Sequence, residues 1–254
     1  MFPRYFIHNF SVQVCKNNFS DINNKEKPKQ YFYRKMDFNE CFNLQGINTK
    51  LINEYVENHM KNYNSPSHDF SHIKRVVLNA TKIYKKEIQK LNGINIDYKW
   101  VYLGAYYHDA LDSKFNNEND KVDGKIQLYK HWEEIGLKKE EGDFDRLLNI
   151  IENVSWSKEL KMSFSEKAKI FNNNPELCVI VDADRIDSLD FVGIMRTFSY
   201  GGEKNRSLSE TLNHFKEKLL LIKDHAKTET GKELLIEGHK VLENFYNLAK
   251  INLE

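Results

Sequence analysis

Three short stretches of this 254-residue chain gather imidazoles and carboxylates. In SPSHDFSHIKRV, Ser65 to Val76, His68 and His72 stand four residues apart, which puts them on one face of a helix. Asp69 in the same stretch suits an N-cap equally well. In GAYYHDALDSKF, Gly104 to Phe115, an apolar run ends abruptly in His108 and Asp109, with Asp112 three residues on. A carboxylate that emerges from buried packing is costly without a partner, so this pair calls for each other or for a cation. A helix end frayed into solvent is the plain alternative. In VIVDADRIDSLDFVGIMRTFSYGG, Val179 to Gly202, the charges Asp182, Asp184, Arg185 and Asp187 interrupt apolar positions, and Asp184 beside Arg185 also suits a structural ion pair. Together the stretches supply the mixed nitrogen and oxygen donors that a divalent transition metal prefers.

Helices must position these groups. Apolar residues recur at helical spacing in Ile73, Val76, Val77, Ala80, Ile83 and Tyr84, and again in Leu212, Phe215, Leu219 and Ile222. The pattern predicts helices near 48–61, 70–91, 97–111, 121–136, 143–155, 175–184, 188–198, 207–226 and 228–249. Pro66 and Pro175 sit just ahead of two of them, where proline is tolerated. No alternating strand pattern and no internal repeat occurs, so the expected fold is all-α, one helical domain over 47–254 behind an extension over 1–46.

Composition narrows the classes. With 40% hydrophobic, 30% charged and 13% aromatic residues, the chain has ample core material and is not disordered throughout. A net charge of +1 gives no footprint for a nucleic acid polymer. The longest apolar stretches fall well short of the ~20 residues of a membrane span. Three scattered cysteines, Cys15, Cys41 and Cys178, suit a reducing compartment such as the cytoplasm better than a disulfide framework. Met1 to Met36 carries seven basic and two acidic residues, leaving 31 basic against 35 acidic for the remainder. Residues 1–20 hold no acidic side chain, as in an organellar transit peptide, but they include a single Arg and no apolar targeting core, and a variable tail explains them as well.

The histidine of HIKRV, the pair of YYHDALD and the aspartate of DADRID follow the order H…HD…D and resemble the HD-domain metal-dependent phosphohydrolases. The likeness runs from about Asn48 to the C-terminus and includes GIMRTFSYGG, NHFKEKLLLIKD and TETGKELL, as in a bacterial-type subgroup that contains nucleotide-hydrolysing members. The resemblance implies a compact multi-helix bundle with His72, His108, Asp109 and Asp184 as metal ligands. His68 matches the first histidine of an HDxxH segment and would contact substrate or groups behind the ligands. Asp112 matches an acidic position, often Glu in relatives, that handles a proton. Asp190 stands where relatives often carry glycine.

The implied cofactor is a divalent metal ion, Mn first, with Mg, Co, Fe or Ni as alternatives. The implied reaction is attack of metal-activated water on phosphorus. The expected substrate is a small phosphorylated molecule, a nucleotide, with cleavage of a nucleoside triphosphate to monophosphate and pyrophosphate as one form. A phosphomonoesterase, a cyclic-nucleotide phosphodiesterase and a non-catalytic metal- or nucleotide-binding regulatory module are the alternatives. Phosphate contacts are expected from Lys114, Arg185, Arg196, Lys204, Arg206 and His214, with Arg75, Lys218 and Lys223 as further basic candidates, because guanidinium and ammonium groups suit phosphate oxygens. His59, His131, His225 and His239 are read as helix-face residues without ligand partners.

Overall fold

A helix that is apolar on every side needs cover on every side, and two stretches of this chain are of that kind. They are residues 100–107, buried without interruption, and residues 177–181. The computed structural model describes residues 47–62, 67, 69–90, 95–111, 118–137 and 142–253, and places both stretches at the centre of a bundle. In chain order the helices are α1 (Thr49–Asn62), α2 (Phe70–Lys90), α3 (Tyr98–Tyr107), α4 (Glu118–Glu134), α5 (Asp143–Ile151), α6 (Trp156–Glu159), α7 (Phe164–Phe171), α8 (Pro175–Asp187), α9 (Asp190–Glu203), α10 (Leu208–Glu217) and α11 (Glu229–Leu253). A 3-10 segment, Leu219–His225, joins α10 to α11. The fold is all-α, with no strand among the described residues, and none of those helices is long and apolar enough to cross a membrane.

The centre is the mutual packing of α2, α3 and α8. At Gly104 a Cβ would lie 2.4 Å from Ile180 Cδ1 and 2.9 Å from Ile150 Cγ2, so the absence of a side chain is what lets α3 cross α8 and α5 so closely. A second apolar cluster, including Leu189, Leu212, Phe215 and Leu235, ties α9, α10 and α11 together, with the rings of Phe198, Phe215 and Phe245 in mutual contact.

The boundaries differ from the sequence reading where polar residues blur the periodicity. Helices α6 and α7 occupy a stretch read as non-helical. The start of α7 is a capping box in which Ser163 and Glu166 each satisfy the other's backbone N–H. The stretch 207–226 divides into α10 and the 3-10 segment. Helix α8 continues past 184 to Asp187, so Asp184 and Asp187 are one turn apart on the same helix. The chain then turns sharply, and Asp190 adopts φ 65°. Glycine enters that left-handed region at no steric cost and aspartate tolerates it better than most residues.

Successive helical residues point about 100° apart, and the charges of α8 accordingly serve separate neighbours. Asp182, buried completely, accepts hydrogen bonds from the Lys227 and Thr228 backbone N–H groups at 2.9 and 2.7 Å and from Thr228 Oγ1 at 2.8 Å, which caps the chain entering α11. A Cβ at Gly231 would fall 2.0 Å from its carboxylate. The TETGKELL motif is therefore a seat for Asp182. Arg185, 2% exposed, pairs with Glu159, donates to the His225 carbonyl at 2.6 Å and lies over the Trp156 ring. Lys227 Nζ reaches the other Glu159 oxygen at 2.7 Å.

Burial by itself would raise the Glu159 carboxyl, but the Arg185 charge and the Lys227 hydrogen bond outweigh it and hold the group below its ordinary value of 4.5. Stability from this group is therefore in place above that value and is lost as pH falls through the lower, folded-state value. Glu159→Gln, which leaves Arg185 facing a neutral partner, is expected to cost about 3–5 kcal/mol at pH 7. Urea unfolding of both proteins at pH 7 and at pH 4 checks this: the deficit should narrow at the lower pH, and an equal deficit at both would refute it.

Candidate metal centre

Three core helices deliver the four expected ligands to one point. His72 sits in the first turn of α2, Asp184 in the last turn of α8, and His108 with Asp109 at the end of α3. That end of α3 carries the negative pole of the helix dipole, which favours a cation. His72 Nε2 lies 3.2 Å from His108 Nε2, 3.4 Å from Asp109 Oδ2 and 3.5 Å from Asp184 Oδ1. His108 Nε2 lies 3.5 Å from Asp109 Oδ1 and 3.8 Å from Asp184 Oδ1. His72, His108 and Asp109 are buried, whereas 30% of the Asp184 side chain is exposed, so the cluster opens to solvent on the α8 side.

The far side of each imidazole explains why these nitrogens face inward. His108 Nδ1 is 2.8 Å from the Ala105 carbonyl, which can only accept, so this nitrogen carries the proton and Nε2 presents its lone pair. His72 Nδ1 meets Asp187 Oδ2 at 2.7 Å. With the His72 proton on Nδ1, two lone pairs would face each other with two carboxylates alongside, an arrangement that favours positive charge between them, whether a proton or a metal ion. Donors that share one ion at about 2.0–2.2 Å stand roughly 3–3.5 Å apart, which is close to the separations here. The residues therefore fit a divalent cation. The pull on positive charge already shows in His72: burial and the Arg196 charge lower its affinity for a proton, and the Asp109 and Asp187 carboxylates reverse that, so its imidazole is raised above its ordinary value.

Asp187 escaped the sequence reading as a site residue. Its carboxylate accepts from His72, from Arg75 Nε at 2.6 Å and Nη2 at 3.2 Å, and from Arg196 Nη1 at 2.7 Å. Arg196 Nε also donates to the Ser67 carbonyl at 2.8 Å, and Glu203 Oε1 accepts the Ser67 N–H at 3.1 Å. Arg196 and Glu203 of the RTFSYGGE stretch, two turns apart, thus hold the chain that leads into α2. The available signal for Asp187 was its spacing of three from Asp184, legible only once α8 is known to continue through both.

Two expected phosphate contacts receive other tasks. Arg185 is a buried partner of Glu159, and Arg196 is engaged by Asp187 and Ser67, because adjacent or near residues on a helix face different neighbours. Arg75 is likewise held by Asp187. Lys204 and Arg206 are exposed and lie 5.4 and 5.6 Å from the Tyr200 ring centre, at the end of α9 remote from Asp190. His214 is half-buried on α10, where burial, Lys218 and Arg206 hold its imidazole below the ordinary value. No described hydrogen bond or ion pair joins these three to the ligand cluster. His68, Asp112 and Lys114, like the extension over 1–46, lie outside the described residues. Among the other histidines, His131 and His59 both stack on the Tyr55 ring, at 4.0 and 6.0 Å. Burial lowers the His59 imidazole against the opposing influence of the Ala110 backbone and the Asp109 charge.

An all-helical bundle that gathers His72, His108 and Asp109 into a group able to hold a metal ion, with Asp184 beside the two histidines, fits the HD superfamily of hydrolases, and the chain belongs to that family. It is similar to the Bacillus subtilis protein YpgQ, with 31% identity over 188 residues that cover 71% of this chain and 82% of that protein. The crystal structure of B. subtilis YpgQ in complex with ADP matches with a TM-score of 0.58 and 28% identity over 81% of this chain and 98% of that one. An HD-superfamily hydrolase from Bacillus thuringiensis matches with a TM-score of 0.57 and 28% identity over 81% and 97% of the two chains. A scan against protein-family models gave no match.

His108→Ala and Asp109→Ala are each expected to reduce Mn²⁺ affinity by more than about 100-fold, beyond the range typical of losing a mere supporting group, with helical content intact. Metal titration beside circular dichroism checks this. Wild-type affinity in both variants would remove the pair from the ligand set.

Proposed function

We propose that this hydrolase cleaves a phosphoester or phosphoanhydride bond of a nucleotide, with a nucleoside triphosphate yielding monophosphate and pyrophosphate as the leading form. The observation that carries the reading is the facing pair of imidazole nitrogens, His72 and His108 at 3.2 Å, flanked by the Asp109 and Asp184 carboxylates. The structure of the relative YpgQ with ADP supports a nucleotide as the ligand. A divalent ion, Mn first, acidifies water and polarises a phosphoryl oxygen when held at such a site.

The residues of the chain supply the rest. His72 and His108 contribute neutral donors, and Asp109 and Asp184 contribute two negative charges that balance a divalent cation, so a polyanionic phosphate meets no net repulsion. The exposure of Asp184 leaves the cluster accessible from the α8 side. Asp112 is assigned proton transfer, and His68 substrate contact or support of the ligands. Lys114, Lys204, Arg206 and His214 remain the proposed phosphate contacts. Tyr200, whose ring lies within 5.4 and 5.6 Å of Lys204 and Arg206, adds an aromatic face beside two cationic groups.

The test is a screen of nucleoside mono-, di- and triphosphates, cyclic nucleotides and a generic phosphate ester with the full-length protein and its Asp109→Ala variant, with Mn²⁺, Co²⁺, Mg²⁺ or no metal. Metal-dependent product that disappears in the variant is expected, and pyrophosphate rather than orthophosphate identifies the bond. No turnover by a fully metal-loaded protein would refute the reading. Asp112→Asn is expected to retain the metal and lower kcat about 10²–10⁴-fold, the usual worth of an acid–base group; undiminished turnover would take Asp112 out of the chemistry.

A further inference from the structure

We infer that Asp187 is a positioning residue that fixes which nitrogen of His72 is available to a metal ion, and that Arg75 and Arg196 are present to keep Asp187 in that role. An unpinned neutral imidazole distributes its proton between Nδ1 and Nε2, and only the nitrogen without the proton can act as a ligand. His72 lies on α2, buried, with Asp187 Oδ2 2.7 Å behind its Nδ1 and the ligand cluster in front of its Nε2. A carboxylate there holds the proton on Nδ1 and turns the ring so that Nε2 points at the cluster. His108 achieves the same end with a backbone carbonyl, that of Ala105. The two imidazoles are thus pinned from behind by different means.

The difference matters because a carboxylate, unlike a carbonyl, could itself turn or take up a proton. Both escapes are blocked. Arg75 from α2 grips Asp187 through Nε to Oδ1 and Nη2 to Oδ2, and Arg196 from α9 donates Nη1 to Oδ2. Each oxygen therefore has a guanidinium donor, and the Oδ2 that faces His72 is approached from both sides. The orientation of His72 is in this way set jointly by α2, α8 and α9. No described hydrogen bond or ion pair joins the Asp187 side chain to His108, Asp109 or Asp184, whereas its Oδ2 meets His72 Nδ1, so its influence on the centre runs through His72.

The inference rests on the metal-centre reading but not on any substrate, and its test needs no turnover. In the full-length, metal-free protein labelled with ¹⁵N-histidine, proton–nitrogen correlation spectra above the titration range of His72 should show its proton on Nδ1. Asp187→Asn should lower Mn²⁺ affinity about 10–100-fold, the effect usual for removing a group that orients a ligand. Glu159→Gln, which weakens the fold through the Arg185 ion pair on a different face of α8 without touching His72 or Asp187, serves as the stability control and should bind Mn²⁺ within about threefold of wild type. Proton residence on Nε2 of His72 overturns the proposal, as does a folded Asp187→Asn protein with wild-type Mn²⁺ affinity. Loss of affinity of equal size in Glu159→Gln would also overturn it, by showing that general destabilisation suffices. Should Asp187→Asn fail to fold, the wild-type tautomer decides the matter. A correct tautomer and normal Mn²⁺ binding without nucleotide turnover would sink the substrate reading and leave this one standing.

Discussion

Two imidazole nitrogens 3.2 Å apart, with carboxylates on their flanks, form an arrangement that favours positive charge between them, a proton or a metal ion. Everything close to it is organised to impose it. The crossing of α3 over α8 at Gly104 brings the end of one helix beside the end of the other. The packing of α2 against both sets His72 in the remaining space. The same core that supplies hydrophobic stabilisation therefore carries the electrostatic demand of the site, a demand that a cation held there would answer.

Helix α8 is where structural and chemical demands meet. Within six residues it caps the entry to α11 through Asp182, supplies Asp184 to the cluster, anchors Glu159 and the 3-10 segment through Arg185, and backs His72 through Asp187. Buried charge is unfavourable unless paired and hydrogen-bonded, and each of these charges has found its partner in a different helix or loop. The result is a rigid spine that fixes the position of α2, α9 and α11 relative to the cluster. Rigidity of this kind suits a centre whose ligands must hold their separations while a substrate enters and leaves.

Placed on this frame, the family relationship and the local geometry support each other. The likeness to YpgQ and to an HD-superfamily hydrolase rests on sequence and overall shape. The convergence of donors rests on individual side chains. The proposed nucleotide chemistry combines both: a cation-demanding cluster open on the Asp184 side, with basic groups at the end of α9 available to phosphate.

The sequence by itself determined the helical class, through apolar spacing such as that of Ile73 to Tyr84, and marked three clusters of imidazoles and carboxylates that interrupt apolar helices; the resemblance to the HD-domain phosphohydrolases then picked His72, His108, Asp109 and Asp184 out of them as ligands. It left undecided what each neighbouring charge does. Arg185 and Arg196 read as phosphate contacts, and Asp187 as one more charge in a run, because a linear pattern records neither the direction in which a helical side chain points nor a partner more than 100 residues away, as Asp187 is from His72 and Arg75. A helix turns about 100° per residue, so one step along α8 separates a cluster ligand from a buried ion pair, and three steps reach a carboxylate behind the histidine opposite. Those assignments belong to the packing of α2, α8 and α9, since only packing decides which charge is excluded from water and which groups are close enough to neutralise it.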